Sequence, residues 1–465
     1  MTHFKIAGSK KNHLMQNHST QKKWLYSSLL LSAMLTGCGG GGGSSTTTTV
    51  TSTSTPAPSS TATACSLTAQ TGGIASGALA QINNYRSSAF IGAALSPALL
   101  LNSDPDLVES AGNHSNYLSL LTQTSASIDP RTHDEVSTNP CFTGATVSAR
   151  IAFTGDPDTV VGEDFSETSF AASVANASPV LAAQTGASIV DGLFDAVYHR
   201  MSLLSNFTNV GIAWQTSTVP NLPPTILTID LAQHQVNTYN NLITYPYSGQ
   251  MNVLLDWLVD ESPCPLGCSN TGALAGFPIT IQTDGRALVV NSFTVTGPTG
   301  NVSGAVLTAT AGTYAADANL VVENAFDRAA FIPLSPLSPN TTYTVTVAGT
   351  TGGVAFTKTW SFTTLAVTTL QLASSASTIS TGGSFDVTFS GGSQNYNVSS
   401  GSPLTWVSQN AAGASPVALS YVQLATNNYQ FTYNGQCTLS AGCPVTFTGT
   451  DSHGDTATTQ VTVLP

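Results

Sequence analysis

The sequence has few charged residues, and its lysines are almost confined to the N-terminus. Only 8% of its 465 residues are charged, and residues 1–37 hold five lysines and no acid. Seven of the 12 lysines and arginines and all 24 acids follow residue 37, a net charge of −17 there. This balance argues against a nucleic-acid partner, because phosphate binding needs a cationic surface. Lys358 is the one lysine after residue 37, so the sequence offers no Gly-rich phosphate loop with its lysine.

The sequence also lacks the nucleophile elbow of serine hydrolases. The nearest approach is Gly-Ala-Ser-Ile-Val at residues 186–190, which has no second glycine. A sharp strand-to-helix turn of the Gly-x-Ser-x-Gly type needs that glycine. No serine hydrolase is therefore indicated.

Long apolar runs are missing as well, and the N-terminal run is short. Residues 24–35 are mostly apolar, follow Lys22-Lys23 and end just before Cys38. Roughly 20 apolar residues are needed to span a bilayer, so residues 1–37 are typical of a bacterial lipoprotein signal peptide. We expect Cys38 to carry lipid and to anchor the protein to a membrane of the cell envelope. Gly39, in place of aspartate, favours the outer membrane of a diderm bacterium.

Residues 38–64 form a low-complexity segment after the predicted anchor. They are almost entirely Gly, Ser, Thr, Pro and Ala. Such a composition buries too little apolar surface to offset the entropy of ordering, so this segment is predicted to be a disordered linker. The roughly 400 residues that follow are enough for two or three domains.

The six cysteines after Cys38 fall into three natural couples. Disulfides are the expected chemistry for an even number of cysteines in an extracytoplasmic protein. Zinc binding by the close couples is the alternative, but two isolated thiolates lack the four ligands of a structural zinc site. The predicted disulfides are Cys65–Cys141, Cys264–Cys268 and Cys437–Cys443.

The region from residue 65 to residue 240 has helical periodicity followed by a strand hairpin. Apolar residues recur at the 3.6-residue spacing of an amphipathic helix in three stretches. Two later stretches, separated by a Pro-rich turn, have the composition of strands. The predicted elements are helices that include Leu79–Tyr85, Leu107–Leu121 and Ala187–Leu204, and strands at Asn209–Gln215 and Thr225–Leu231.

Beyond residue 240 the pattern changes to short strands with Thr, Val and Gly-rich turns. Apolar and polar residues alternate in them, as in a half-exposed antiparallel sheet. Residues 337–345 and 360–364 resemble bacterial Ig-like domains of the S-layer type. We predict two Ig-like β-sandwiches, at residues 241–365 and 366–465. The resemblance implies a role in spacing, protein contact or glycan contact.

Three stretches of the first region carry histidine and acid in a recognisable order. Residues 131–135 hold a histidine, residues 161–165 a glycine followed by glutamate, and residues 190–200 a second histidine. In this order they resemble the CAP superfamily, also called the SCP or cysteine-rich secretory protein domain. Further similar stretches are residues 82–86, 107–118, 142–155 and 207–213. The resemblance implies that residues 65–240 form an α/β/α sandwich, so the predicted fold class is multidomain, this CAP-like sandwich followed by the two all-β sandwiches.

The resemblance also implies a functional cleft. In the CAP family two histidines and two acids line a cleft that can bind a divalent metal. The matching residues here are His133, Glu163 and His199, which are expected to line the cleft and to bind a metal such as zinc. The alternative is that both histidines simply hydrogen-bond to Glu163.

The fourth cleft residue is left open by the sequence. The second glutamate of the family falls near Ala196, which cannot bind a metal. Asp195 is the nearest substitute, since it lies one helical turn before His199. Glu135 and Asp134, next to the first histidine, are the alternatives.

Three functions are compatible with this pattern. We expect a surface binding module, more plausible than an enzyme, whose cleft takes a lipid, a glycan, a surface protein or a metal-dependent ligand. A metal-assisted hydrolase and a purely structural or adhesive protein are the alternatives. The remaining histidines are assigned no function: His114 is expected at the surface or in packing, and His234 and His453 in solvated turns.

Overall fold

The computed structural model describes most of the chain after the predicted linker. The predicted signal peptide, Cys38 and the linker lie outside the described residues. The described residues are 65–95, 99–124, 133–168, 178–216, 225–270, 272–392, 405–410, 419–425, 427–433, 437, 440–451 and 455–465.

The first part of the chain combines helices with a four-stranded sheet. Strand β1 is parallel to β3, and the other neighbours are antiparallel, in the order β1-β3-β4-β2. The strands are β1 (Asn102–Ser103), β2 (Val161–Thr168), β3 (Asn209–Thr216) and β4 (Thr225–Ala232). The helices are α1 (Ile74–Gly92), α2 (Pro105–Thr124), α3 (Val147–Thr154), α4 (Pro179–Asp195) and α5 (Val197–Leu203).

Helices cover both faces of this sheet. On one face α2 packs directly on β3, where a Cβ at Gly211 would lie 1.9 Å from the backbone of Leu107. On the other face Ile212 belongs to a hydrophobic core shared with Ile82 of α1 and Phe194 of α4. All eight residues of the central strand β4 are therefore buried.

The predicted helix over Ala187–Leu204 is wrong as a single helix. The chain is extended at Ala196, with φ −74° and ψ 150°, and the axes of α4 and α5 differ by 112°. Arg200 stabilises the break, because its guanidinium donates to the carbonyls of Phe194 and Asp195 at the end of α4. Within the described ranges no single helix is long and apolar enough to cross a membrane, although α4 and α5 pass that test as a bent pair.

The described residues after residue 240 are mainly β-strands, and their four-stranded sheets face each other in pairs. Aromatic contacts join the paired sheets, with Phe293 and Phe331 5.6 Å apart and Phe385 and Phe447 5.1 Å apart between ring centres. The sandwich-like, mainly β part of the predicted fold class is confirmed. The sheets are β10-β9-β13-β14 against β11-β12-β8-β5, a β6-β7 pair, and β15-β17-β20-β19 against β16-β22-β21-β18.

These strands and one short helix have the following bounds. The strands before residue 366 are β5 (Ile243–Tyr245), β6 (Asp256–Leu258), β7 (Leu274–Gly276), β8 (Ile279–Gln282), β9 (Leu288–Gly297), β10 (Gly300–Asn301), β11 (Gly304–Thr308), β12 (Arg328–Pro333), β13 (Thr342–Thr351) and β14 (Val354–Thr363), with helix α6 (Ala318–Val322). The later strands are β15 (Thr368–Ser374), β16 (Thr378–Ser380), β17 (Ser384–Gly392), β18 (Thr405–Asn410), β19 (Leu419–Ala425), β20 (Asn428–Tyr433), β21 (Cys443–Thr450) and β22 (Thr456–Leu464).

One hydrophobic core continues across the predicted boundary at residue 240. It runs from Ile74 of α1 through β3 and β4 to Phe362 of β14. Arg200 also donates to the carbonyl of Pro278, just before β8. A separate core, from Leu370 to Val463, holds the last pair of sheets. The helical part and the first pair of β-sheets are therefore packed together as one body.

Disulfides join two of the predicted couples. Cys65 is bonded to Cys141, and Cys437 to Cys443. Cys264 is also disulfide-bonded, while the side chain of its predicted partner, Cys268, lies outside the described residues. The disulfide prediction is confirmed for Cys65–Cys141 and Cys437–Cys443.

Candidate ligand-binding cleft

A cleft of about 300 Å³ opens between the edge strand β2 and helix α5. Helices α3 and α5 and strand β2 supply one side of it. The segment after residue 260 supplies the other side. The three residues predicted from the CAP resemblance all line this cavity. Its polar lining includes His133, Glu163, Asp164, His199, Glu323 and Arg328.

Glu163 on β2 holds His133 at the mouth of the cleft. Its Oε1 lies 2.9 Å from Nδ1 of His133, and its Oε2 accepts from the guanidinium of Arg150 at 2.5 Å. Arg150 also donates to the backbone carbonyl of His133 at 2.6 Å. Burial alone would raise the pKa of Glu163, but His114, the hydrogen bond from His133 and the charge of Arg150 lower it well below its ordinary value. Glu163 is thus a permanently charged anchor for His133.

His114 takes part in this network, and its burial agrees with the predicted packing role but not with the surface alternative. It is fully buried on α2, with Nδ1 3.0 Å from Glu135 and Nε2 3.5 Å from Glu163. The sequence did contain a signal for its burial. His114 shares the helical face of Leu107, Ala111 and Leu118, all of which are buried, and a polar residue in an apolar stripe needs a buried partner.

Glu261 holds the second histidine of the cleft. Its Oε1 lies 2.7 Å from Nδ1 of His199, and the Glu261 side chain is almost fully buried. Burial lowers the pKa of His199, but the hydrogen bond and charge of Glu261, with Asp164, raise it to about 9. His199 is therefore an imidazolium at neutral pH. Sequence reasoning missed Glu261, which lies 62 residues further along the chain and belongs to no motif.

Asp164 is a buried acid of the cleft with a free oxygen. Only 3% of its surface is exposed, and its Oδ2 has no hydrogen-bond partner among the described residues. Burial raises the pKa of Asp164 to about 6, against the lowering effects of His199 and of a hydrogen bond from Ser202. A buried carboxylate oxygen without a partner is energetically costly, so it marks a place where a ligand or water donates.

The proposed substitutes for the fourth cleft residue lie elsewhere. Asp195 is not among the residues that line the cleft, because the extended Ala196 turns α5 away from α4; its charge acts on Tyr85 and Tyr245 instead. Glu135 is buried beside His114, accepts from the backbone N–H of Thr143 at 2.8 Å and does not line the cleft. These two assignments are corrected, and the exposed Asp134 lines no part of the cleft either. Glu261 does not line the cleft itself, but it is the acid that binds His199.

The predicted metal trio does not assemble as a metal site. Both oxygens of Glu163 are already bound by His133 and Arg150, and a protonated His199 cannot bind a metal until it loses its proton. The donor atoms of His133, Glu163 and His199 do not all lie within 4.8 Å of one another. The three residues therefore do not fit a three-ligand zinc site in this arrangement.

Within the described part of the chain, a different trio meets that distance criterion. The donor atoms of Asp104, Asp156 and His234 all lie within 4.8 Å. His234 Nε2 is 2.8 Å from Asp156 and 3.0 Å from Asp158, and these carboxylates raise the pKa of His234 despite the opposing effect of burial. His234 is exposed in a bend, as predicted for a solvated turn, and it also pairs with these carboxylates. His453 lies outside the described residues.

Comparisons with known proteins add no family assignment. No protein-family model and no curated protein match the chain. Solved structures with similar segments are Ig-like, fibronectin-like and cadherin-like: titin A168–A169 (8% identity, TM-score 0.18, 47% of this chain and 97% of that one), fibronectin(III)-like modules of Clostridium thermocellum CbhA (9%, 0.19, 48% and 93%), and cadherin-like domains 1 to 4 of zebrafish RET (12%, 0.24, 69% and 69%). At these TM-scores the likeness carries no argument about fold or function.

Proposed function

We propose that this chain is a lipid-anchored protein of the bacterial cell envelope whose CAP-like domain binds a small ligand in the cleft. One observation carries the proposal. His133 and His199 come from separate segments, yet each has Nδ1 held by a buried carboxylate, and both line one cavity. A carboxylate at Nδ1 fixes the orientation of an imidazole and leaves Nε2 for a ligand.

The layers of the first region support the CAP-like assignment. Helix α2 lies on one face of the sheet and α1 and α4 on the other, the arrangement that the resemblance implies for residues 65–240. The proposed cleft histidines come in the order that the resemblance requires. The assignment of residues 241–365 and 366–465 to Ig-like domains is part of the same proposal.

The hydrogen bonds of Glu163 and the protonation of His199 favour ligand binding over hydrolysis. A metal-assisted hydrolase needs a metal with about three protein ligands and an open position. Here Glu163 is occupied by an arginine and a histidine, and His199 is protonated. These groups are arranged to hold their positions and to donate hydrogen bonds.

The experiment is a binding comparison between the wild type and a cleft variant. Saturation-transfer NMR would be recorded with lipid, polysaccharide and protein fractions of a bacterial envelope, using the folded region and its His133→Ala/His199→Ala variant. We expect at least one fraction to contact the wild type and to lose that contact in the variant. The exposed Glu109→Gln variant on α2 is the matched control and should behave as wild type. If every fraction gives the same signal with the wild type and the cleft variant, the proposal is wrong.

A further inference from the structure

The free oxygen of Asp164 defines what the ligand must offer. Asp164 is 3% exposed, lines the cleft, and has no hydrogen-bond partner for Oδ2 among the described residues. A buried carboxylate is an acceptor only. A ligand that displaces water from this point must therefore present a hydrogen-bond donor.

The neighbours of Asp164 restrict the kind of donor. His199 lines the same cleft and its charge lowers the pKa of Asp164; it is positively charged, since Glu261 binds its Nδ1. An ammonium ion at Asp164 would meet this imidazolium, so a cationic donor is disfavoured. A hydroxyl group suits both residues, because it can donate to the carboxylate while an oxygen accepts from Nε2–H of His199.

The remaining lining continues this pattern of donors, acceptors and a flat apolar surface. Glu323 and Arg328 add an acceptor and a donor on the side supplied by the β-sandwich. Phe207 adds an aromatic ring, which packs so closely on β2 that a Cβ at Gly162 would lie 2.9 Å from it. Hydrogen-bond donors and acceptors placed around the aromatic face of Phe207 match a ligand ring that carries several hydroxyl groups and has one apolar face.

We propose that the cleft binds a neutral sugar residue, with one hydroxyl donating to Oδ2 of Asp164 and a hydroxyl oxygen accepting from His199. This inference rests on the proposed function and names its ligand class. The cavity of about 300 Å³ is at the lower end of ligand pockets, which limits it to a single ring. The acids Asp164 and Glu323 in the lining disfavour an anionic ligand.

Isothermal titration calorimetry of the folded region tests the inference. The probes are glucose, galactose, mannose and N-acetylglucosamine, with glucuronate as the anionic probe and Zn²⁺ as the metal probe. We expect one of the neutral sugars to bind, and Asp164→Asn to weaken it by about tenfold or more, since a hydrogen bond to a charged group is lost. Glu109→Gln should leave the affinity unchanged.

Deoxy analogues of the bound sugar provide a test that needs no variant. A site built around hydroxyl hydrogen bonds rejects the analogue that lacks the hydroxyl, so one deoxy position should bind at least about tenfold more weakly. The inference is overturned if no neutral sugar binds, if glucuronate or Zn²⁺ binds more tightly, or if Asp164→Asn and every deoxy analogue bind like their parents. An envelope fraction of lipid or protein that still depends on His133 and His199 would keep the proposed function and reject the sugar.

Discussion

Glu261 lies 2.7 Å from Nδ1 of His199 and also accepts hydrogen bonds from the backbone N–H groups of residues 197, 198 and 199. One carboxylate thus caps helix α5 and fixes the histidine of the cleft. The cap residue of α5 is Ala196, whose methyl side chain cannot accept a hydrogen bond. The unsatisfied N–H groups at a helix start therefore need another acceptor. The cleft is consequently complete only when the segment beyond residue 240 is folded against it.

Replacing Glu261 by Gln should lower the pKa of His199. The hydrogen bond and charge of Glu261 outweigh burial and raise this pKa from 6.5 to about 9. A pKa that is higher in the folded state contributes stability in full below about 6.5, and that contribution is lost as the pH rises through about 9. We expect the wild type to be less stable at pH 9.5 than at pH 6.5, by on the order of 1–3 kcal/mol.

In the Glu261→Gln variant this difference between the two pH values should shrink. The measurements are an NMR titration of the His199 ring and urea unfolding at both pH values. Glu109→Gln is the control variant. An unchanged His199 titration in Glu261→Gln would show that the contact does not set its charge.

Arg150 is expected to be essential for stability. It is fully buried and compensates the buried carboxylate of Glu163, with Glu135 3.7 Å from its Nε. Arg150→Met leaves the buried carboxylates of Glu163 and Glu135 without their cation. Breaking a buried pair in this way lowers the free energy of unfolding by about 3–5 kcal/mol. Chemical unfolding at pH 7 measures this loss, and the partly exposed Lys358→Met should change stability by about 0.5 kcal/mol or less.

The pH dependence of that loss has a defined sign. The pKa of Glu163 is lowered in the folded state, chiefly by His114 once burial is overcome, so its contribution is present above about 4.5 and is lost as the pH falls. The difference between Arg150→Met and the wild type should therefore be largest near neutral pH. A difference that grows in acid would contradict the role assigned to Glu163.

Local patterns were sufficient for much of the fold. The apolar spacing of Leu107–Leu121 corresponds to α2, and the two strand patterns correspond to β3 and β4 within one residue at their ends. The order of histidine, glutamate and histidine named three residues that line one cavity. These features depend on neighbours within a few turns or on a motif, and both are visible in the sequence.

Features that depend on distant partners were not visible. The break at Ala196 follows from Arg200, which binds the end of α4, and from Glu261, which binds the start of α5. The spacing of apolar residues in a helix cannot indicate an acid that lies 65 residues away. The choice of Asp195 as a cleft residue failed for the same reason, since it assumed that the helix continues. The apolar stripe of α2 indicates that His114 is buried, but not that its partners are Glu135 and Glu163.

Cys38 should determine where the protein resides. It follows the short apolar run and precedes the low-complexity linker, as lipidation after signal cleavage requires. We expect Cys38→Ser to be released from the membrane fraction or to remain unprocessed when expressed in a diderm bacterium. Carbonate extraction followed by immunoblotting checks this, with Cys437→Ser as a control that keeps the anchor. A Cys38→Ser protein that is processed and stays in the membrane pellet would rule out the lipid anchor.

The disulfide between Cys65 and Cys141 should stabilise the helical part most. It joins residues 76 apart in sequence, whereas Cys437–Cys443 joins residues 6 apart. In the chain-entropy account the stabilisation grows with the closed loop, to about 4.5 kcal/mol for the first and about 2 kcal/mol for the second. Unfolding of the Cys65→Ser/Cys141→Ser and Cys437→Ser/Cys443→Ser variants measures the two losses, each in the transition of its own hydrophobic core. If the short loop costs as much as the long one, the entropy of the unfolded chain is not what these bonds restrict.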